Sequence, residues 1–222
     1  MVSTTAVLFD LDGTLADTVP LISEHIAATI TSFGVAVEPI SVVPYIGRPL
    51  EFALAELSGF GAVDERIGHM VTGYHESWRG AINEQGDELL LPGVHYMLKA
   101  LREDGWRIAV VTAKTTPEAV HLLERIGIRD DVEVVVGNDQ VANGKPAPDS
   151  VLLGLRLLDA PLEGAWYVGD AASDMEMAMA AGTRAMGITT GASPREALLA
   201  AGAEIVVDSA DEVTARLVGP AI

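Results

Sequence analysis

The sequence contains no cysteine and only three lysines among its 222 residues. The absence of cysteine excludes disulfide bonds and metal sites built from thiolates. No apolar run approaches the length of a membrane span, and no basic segment followed by an apolar one marks the N-terminus. We therefore expect neither a transmembrane nor a secretory segment, and we expect the protein to be cytoplasmic.

Positive charge is scarce in general, since 14 Lys and Arg face 32 Asp and Glu and the net charge is -18. This excess argues against partners such as nucleic acid or an acidic membrane surface. Because lysines are so few, the position of each one is informative. Lys99 falls in a predicted surface helix, whereas Lys114 and Lys145 lie beside the motifs described below. We interpret Lys114 as a structural cation or one at the rim of a site.

The most informative stretch is residues 7–18, where an apolar run leads directly into carboxylates. Residues 7–9 are predicted to form a strand buried on both faces, with Asp10 at its end and a turn opening at Asp12 and Gly13. Ligands of open α/β sheets bind at the carboxyl ends of strands. Two carboxylates this close raise each other's pKa unless a cation lies between them. A divalent metal with oxygen ligands fits that need.

Strand and helix patterns alternate along most of the chain, which predicts an α/β fold with a parallel sheet. Residues 19–82 carry helical patterns only, and this surplus predicts an inserted all-helical cap domain over a Rossmann-like core. The predicted core is residues 1–17 and 89–222, and the predicted cap is residues 18–88, which could act as a lid. The predicted strands are 7–9, 106–112, 132–137, 165–170, 185–186 and 205–207. The predicted helices include 19–33, 39–45, 67–82, 94–103, 117–125, 149–158 and 175–181.

Polar residues at the strand ends are expected to converge, because the carboxyl ends of parallel strands share one edge of the sheet. Asp10, Thr112 and Asp170 end three of the strands, and Lys145 lies in a loop on the same edge. Carboxylates, a hydroxyl and an ammonium suit a metal cation together with phosphate. Thr112 and the N–H groups after it would hold phosphate oxygens as a helix N-terminus does.

The chemistry of the two leading carboxylates suggests separate roles. Asp10 lies nearest the strand end and is the better nucleophile, forming an acyl phosphate. Asp12 is the better acid and base: it can protonate the leaving oxygen and then take a proton from the attacking water.

In their order and spacing, the motif at residues 10–14, Thr112, Lys145 with Pro146, and Gly169-Asp170 followed by Asp174 resemble the haloacid dehalogenase superfamily. The match is to its phosphatase branch, in particular the phosphoglycolate phosphatase type with a helical cap. The resemblance implies Mg²⁺ held by Asp10, the backbone carbonyl of Asp12, and Asp170. Asp174 would hold a metal-bound water or Lys145. It also implies phosphate binding by Thr112, Ala113 and Lys145.

Two positions depart from the family pattern. Ala113 stands where relatives often carry Asn, so a polar contact is lost while the backbone N–H remains. Ala171 stands where relatives often carry Ser or Thr. Both departures leave the substrate open, and neither removes a predicted catalytic group.

The remaining candidate residues carry less information. Arg48, in a loop between predicted cap helices, could contact the far end of a substrate or could be a solvated side chain. Tyr74 and Trp78, at helical spacing, are interpreted as cap core. We interpret the histidines as surface or packing groups: His25, His69, His75, His95 and His121.

The expected function is a Mg²⁺-dependent phosphatase that hydrolyses a small phosphorylated metabolite, phosphoglycolate-like, through an aspartyl phosphate. We expect a monomer or a homodimer. A dehalogenase would not need an acid at Asp12, but a β-phosphoglucomutase-like phosphomutase and an inorganic pyrophosphatase stay open. The alternative from another class is a non-catalytic phospho-binding regulator, because fold alone does not establish activity.

Overall fold

The computed structural model of the chain is organised around one six-stranded sheet in which all neighbouring strands are parallel. It describes residues 5–219, apart from the side chain of Asp87. The strand order is β3-β2-β1-β4-β5-β6, so the direction of the order reverses at β1. Open α/β sheets bind their ligands at such a reversal. The strands are β1 (Ala6–Phe9), β2 (Arg107–Val111), β3 (Val134–Val136), β4 (Trp166–Gly169), β5 (Arg184–Ile188) and β6 (Ile205–Val207).

Both faces of the sheet are buried, which explains why its strands read as continuous apolar runs. In β1, Val7 and Phe9 pack into the hydrophobic core on one face, and Ala6 and Leu8 pack into the core on the other. The first face is covered by α4 (Val94–Glu103), α5 (Thr116–Arg125) and α9 (Ala210–Leu217). The second is covered by α6 (Asp149–Leu157), α7 (Ala172–Ala181) and α8 (Arg195–Ala200). The predicted α/β fold with a parallel sheet is confirmed.

Between β1 and α4, residues 18–88 form helices, 3-10 turns and loops and contain no strand. It forms α1 (Val19–Ser32), α2 (Leu50–Ser58) and α3 (Glu65–Gln85), with 3-10 turns at Pro39–Ser41, Val43–Tyr45 and Gly86–Glu88. Helix α3 packs against both α1 and α2. The division of the chain into a core and a cap stays a prediction, and residues 1–4 and 220–222 of the predicted core lie outside the described residues.

The chain leaves and re-enters the sheet region along two neighbouring segments. The N–H of Asp17 donates to the carbonyl of Leu89 at 2.7 Å, and the N–H of Leu91 donates to the carbonyl of Leu15 at 3.1 Å. The two connections therefore lie side by side directly after the carboxylate turn.

Several elements differ from their predicted bounds, among them α3, predicted at 67–82, and β5, predicted at 185–186, which are both longer than expected. Helix α7 begins at Ala172 rather than at residue 175, because the Asp174 carboxylate accepts the N–H of Ala171 at 3.0 Å and caps an earlier turn. Strand β3 is confined to Val134–Val136, because it lies at the edge of the sheet and pairs with β2 alone. The single helix predicted at 39–45 is instead two 3-10 turns.

None of the helices within residues 5–219 is both long and apolar enough to cross a membrane.

Candidate active site

The ends of three adjacent strands bring Asp10, Thr112 and Asp170 to one edge of the sheet. Phe9 is in register with Val110 on β2 and with Val168 on β4, so the residues that follow these strands are neighbours. The N–H of Asp10 continues the ladder by donating to the carbonyl of Val168 at 2.9 Å. All three polar side chains are almost completely buried. They lie at the central position where the strand order reverses.

Three buried carboxylates form a cluster at this edge. Asp10, Asp170 and Asp174 each present an oxygen, and these oxygens lie within 4.8 Å of one another. The Lys145 ammonium lies 2.8 Å from Oδ1 of Asp10 and 2.6 Å from Oδ1 of Asp174. One lysine therefore bridges two of the three carboxylates, and Asp170 is left without an ion pair in the described part of the chain.

The Asp170 carboxylate is held from two sides and surrounded by glycine. The Thr14 hydroxyl donates to its Oδ1 at 3.0 Å, and the Ala192 N–H donates to its Oδ2 at 2.7 Å. A Cβ added at Gly13 or at Gly191 would overlap Oδ2 directly. Only residues without a side chain fit at these two positions, which explains why the loops after β1 and β5 carry glycine there.

Asp174 is fully engaged within the protein. Its Oδ1 lies 3.1 Å from the Tyr167 hydroxyl and also pairs with Lys145, while its Oδ2 accepts the N–H of Ala171. The contact with Lys145 is one of the two expected for Asp174, and the other, with a metal-bound water, stays a prediction.

Burial disfavours the charged form of each group in the cluster, so the negative charge of its carboxylates is poorly compensated. Burial raises the pKa of Asp10 to about 7, although the Lys145 charge opposes the shift. Burial, together with the charges of Asp174 and Asp10, holds the pKa of Asp170 well above its usual range. Burial disfavours the Lys145 ammonium, but the two carboxylates beside it outweigh burial and raise its pKa. A hard divalent cation would relieve the uncompensated negative charge, and the carboxylate oxygens are the ligand type it prefers.

Asp12 lies outside this cluster and has its own partners. Its Oδ1 accepts the Thr18 hydroxyl at 2.6 Å and lies 3.2 Å from the Lys114 ammonium. The side chain of Asp12 therefore has partners other than Lys145, and the metal contact through its backbone carbonyl stays a prediction. The contact places Lys114 beside Asp12, and our interpretation of it as a structural or rim cation stays a prediction.

A cavity of about 100 Å³ opens beside Asp10 and Asp12. Ala113 lines it, and the N–H of Ala113 has no acceptor among residues 5–219, so this N–H is available to an anion. Arg48 also lines the cavity but is exposed, with its guanidinium 5.1 Å from the centre of the Phe52 ring. Other lining residues are Thr112, Thr115, Ile22, Ile26, Tyr45, Tyr74, Glu51 and Asn138.

His75 and Glu118 also line the cavity, and the sequence analysis did not identify them. It interpreted the histidines as surface or packing groups. His75 on α3 contacts the carboxylate of Glu118 on α5, and the Thr115 hydroxyl donates to the same carboxylate at 3.0 Å. Thr115 and Glu118 have the spacing of a helix-start motif, which predicts the beginning of α5 but not a partner on another helix. Nothing in the pattern around His75 marks the contact.

A family model described as haloacid dehalogenase-like hydrolase matches residues 7–188. The match runs from the first strand to the end of β5 and spans most of the chain. The chain belongs to this family, and the protein is a hydrolase of the phosphatase type, as the names of its relatives also indicate.

Several relatives cover nearly the whole chain. A protein of Dickeya dadantii named "Probable phosphatase IndB" is 35% identical over 93% of this chain and 90% of its own length. A phosphoglycolate phosphatase of Cupriavidus necator is 33% identical over 96% of this chain and 93% of its own length. A pyrophosphatase of Listeria innocua is 31% identical over 83% of this chain and 82% of its own length.

The fold is also found among solved structures. A hydrolase from Pseudomonas syringae superposes with a TM-score of 0.85 at 24% identity, covering 96% of this chain and 98% of that protein. At this identity the likeness supports the fold and no finer property.

Proposed function

We propose that the protein is a Mg²⁺-dependent phosphatase that hydrolyses a small, phosphoglycolate-like phosphate monoester through an aspartyl phosphate on Asp10. The observation that carries the proposal is the buried cluster of Asp10, Asp170 and Asp174, in which Lys145 bridges Asp10 and Asp174, with Asp12 beside the neighbouring cavity. The proposed partner is a small phosphorylated metabolite. The cytoplasmic location and a monomeric or dimeric state stay predictions.

The residues present fit a divalent cation. If all were ionised, the four carboxylates of Asp10, Asp12, Asp170 and Asp174 would outnumber the nearby ammonium groups, and the glycine cradle keeps Asp170 free of side chains. Asp10, Asp170 and the backbone carbonyl of Asp12 would hold Mg²⁺. When bound, the ion would neutralise carboxylates and phosphoryl oxygens that otherwise repel each other.

The first half of the proposed reaction uses Asp10 and Asp12. A carboxylate oxygen of Asp10 forms a bond to phosphorus while the bond from phosphorus to the leaving oxygen breaks. Asp12 gives its proton to that leaving oxygen, which departs as an alcohol. The Ala113 N–H, the Thr112 hydroxyl and the Lys145 ammonium would hold the phosphoryl oxygens.

The second half returns both residues to their starting states. Asp12, now a carboxylate, takes a proton from water, and the water oxygen bonds to phosphorus while the bond to Asp10 breaks. The products are inorganic phosphate and the free Asp10 carboxylate. Lys145 orients Asp10 in both halves through its contact with Oδ1.

The substrate class is supported by the size of the cavity and by the relatives. A cavity of about 100 Å³ suits a small metabolite better than a nucleotide. Relatives named as phosphoglycolate phosphatases are 32–33% identical over nearly the whole chain. Arg48, at the cavity and on α2's N-terminal side, is our candidate for contacting the end of the substrate away from the phosphate.

The proposal is tested by phosphate release from phosphoglycolate, sugar phosphates, nucleotides and pyrophosphate, each with Mg²⁺ and with EDTA. We expect metal-dependent release concentrated on one small monoester. Asp10→Asn should lower kcat by at least about a thousandfold, as removal of other nucleophiles does. Its far-UV circular dichroism should match the wild type.

Each alternative gives a different result in the same experiments. Release mainly from pyrophosphate would identify a pyrophosphatase, and conversion of one sugar phosphate isomer into another would identify a phosphomutase. Near wild-type turnover by Asp10→Asn would refute the covalent mechanism. Mg²⁺ binding without turnover of any compound would identify a phospho-binding regulator.

A further inference from the structure

Lys114 is a largely buried lysine held between a carboxylate and an aromatic face. It follows β2 in the loop before α5, and its side chain is only 9% exposed. The ammonium lies 3.2 Å from Oδ1 of Asp12 on one side and 4.0 Å from the centre of the Trp78 ring on the other. Lysines are almost never removed from solvent unless they are paired, so this placement indicates a specific role for Lys114.

The two oxygens of Asp12 have unequal surroundings. Oδ1 takes both donors, the Thr18 hydroxyl at 2.6 Å and the Lys114 ammonium. No donor contacts Oδ2 within the described residues. Two donors on one oxygen fix the rotation of the carboxyl group and leave the other oxygen as the one that can exchange a proton with the reacting groups.

Trp78 fixes the position of Lys114 in turn. Trp78 lies on α3, is buried, and stacks on Tyr74 with ring centres 6.0 Å apart and planes 10° apart. Its indole face attracts the ammonium and excludes water from it. The lysine, which has four rotatable bonds, is therefore held by groups on two different segments of the chain.

We propose that Lys114, held by Trp78, is a positioning residue that orients Asp12 for proton transfer to the leaving group. Helix α3 thereby contributes to the acid–base step although none of its residues touches Asp12 through an ion pair or hydrogen bond in the described part of the chain. The inference rests on the proposed function, because it requires Asp12 to be the general acid.

The competing role for Lys114 is direct contact with an anionic group of the substrate, since it also lines the cavity. The two roles differ in what they change. Loss of a positioning residue lowers kcat/KM most for substrates whose leaving oxygen needs a proton. Loss of a substrate contact raises KM for substrates that carry a second negative charge.

The test measures kcat/KM at saturating Mg²⁺ for phenyl phosphate, which has a poor leaving group, and for 4-nitrophenyl phosphate, which has a good one. The readout is the ratio of the first value to the second. The ratio of the two values cancels any loss of folded enzyme, and kcat/KM reports the steps up to departure of the leaving group. A general acid contributes roughly 10²- to 10⁴-fold where it is needed, so Lys114→Met should lower the ratio by about tenfold. Trp78→Leu should shift it in the same direction, and Trp78→Phe less.

Two reference variants complete the design. Lys99→Met removes a lysine that is exposed on α4, where it pairs with Glu103 at 3.8 Å, and should leave the ratio unchanged. Asp12→Asn removes the acid itself and should lower the ratio more than any other variant.

The outcomes separate this inference from the proposed function. If Asp12→Asn lowers the ratio and Lys114→Met does not, the positioning role is wrong and the proposed function stands. If Lys114→Met only raises KM for phosphoglycolate, the ammonium is a substrate contact and the positioning role is also wrong. If Asp12→Asn leaves the ratio unchanged, the acid role of Asp12 fails, and the inference fails with it.

Discussion

At the scale of single residues, the site depends on what is missing around Asp170 as much as on the carboxylate. Gly13 and Gly191 leave the space that its Oδ2 occupies, and Thr14 and the Ala192 N–H orient it. The backbone of Gly13 also has a positive φ of 72°. Gly191 does not adopt a positive φ, so a side chain there would act through its overlap with Asp170 and not through backbone strain.

We therefore expect Gly191→Ala to weaken activation by metal. The added Cβ displaces the Asp170 carboxylate, and changes that reorient a metal ligand typically cost about 10- to 100-fold in metal affinity or activity. The Mg²⁺ concentration for half-maximal activity and kcat/KM are the measurements. Activation equal to the wild type would contradict the assignment of Asp170.

Gly68→Ala is the matched control for that substitution. Gly68 lies inside α3 with nothing within 4 Å of an added Cβ. Because glycine costs a helix up to about 1 kcal/mol relative to alanine, this variant should raise the free energy of unfolding and leave metal activation unchanged.

At the scale of secondary-structure elements, α3 is the helix that connects the helical segment to the loop after β2. Its His75 contacts the carboxylate of Glu118 on α5, and the ring of its Trp78 contacts the Lys114 ammonium. Burial raises the pKa of Glu118, but the hydrogen bond from His75 and the charge of Lys114 outweigh it, so the pKa lies below its usual value. The interaction therefore stabilises the fold above the ordinary glutamate range and is lost as the pH falls through the lowered pKa.

We expect Glu118→Gln to lower the free energy of unfolding by about 1 kcal/mol at neutral pH, because it removes the charge that His75 contacts. Backbone amide exchange in α3 should accelerate, while that in α4 should not. In acid, where the wild-type Glu118 is itself protonated, the difference between the two proteins should disappear. Glu103→Gln, which removes an exposed partner of Lys99, should leave the free energy of unfolding almost unchanged. An equal loss of stability in both variants would contradict a specific role for the contact between His75 and Glu118.

At the scale of the whole molecule, a chain with a net charge of -18 concentrates four carboxylates where its sheet order reverses. Because the pKa of Asp10 rises from 3.8 to about 7 on folding, the folded protein holds a proton that the unfolded chain releases. Without metal, this contribution to stability is full below the unfolded pKa and is lost as the pH rises through about 7. Above that pH the cluster needs another source of positive charge.

Mg²⁺ should accordingly raise the thermal midpoint more at about pH 8 than at about pH 5, where protons compete with the metal. Calorimetry with and without Mg²⁺, at matched ionic strength, measures the shift. Asp10→Asn should reduce the pH dependence of the shift. A midpoint that Mg²⁺ does not change at either pH would argue against the metal site.

The alternation of strand and helix patterns was enough to predict the α/β fold, and the positions of Asp10, Thr112, Lys145 and Asp170 relative to the strands were enough to place them at one edge. Such a prediction is possible because a parallel sheet places the carboxyl ends of its strands together whatever the intervening loops do. Helical periodicity likewise predicted the helices between β1 and β2, because a packed helix requires apolar residues on one face. The resemblance of the motifs to a known family then supplied the expected roles.

Other features were decided only by the tertiary structure. The Lys114 contacts with Asp12 and Trp78, the His75 contact with Glu118, and the approach of Gly191 to Asp170 each join segments far apart in the chain. Sequence periodicity does not predict these contacts. Which side chains of two elements meet depends on how the elements pack against each other. The sequence by itself therefore determined the sheet and the groups at its edge. Packing of α3 and of the loop after β5 against that edge determined how those groups are oriented.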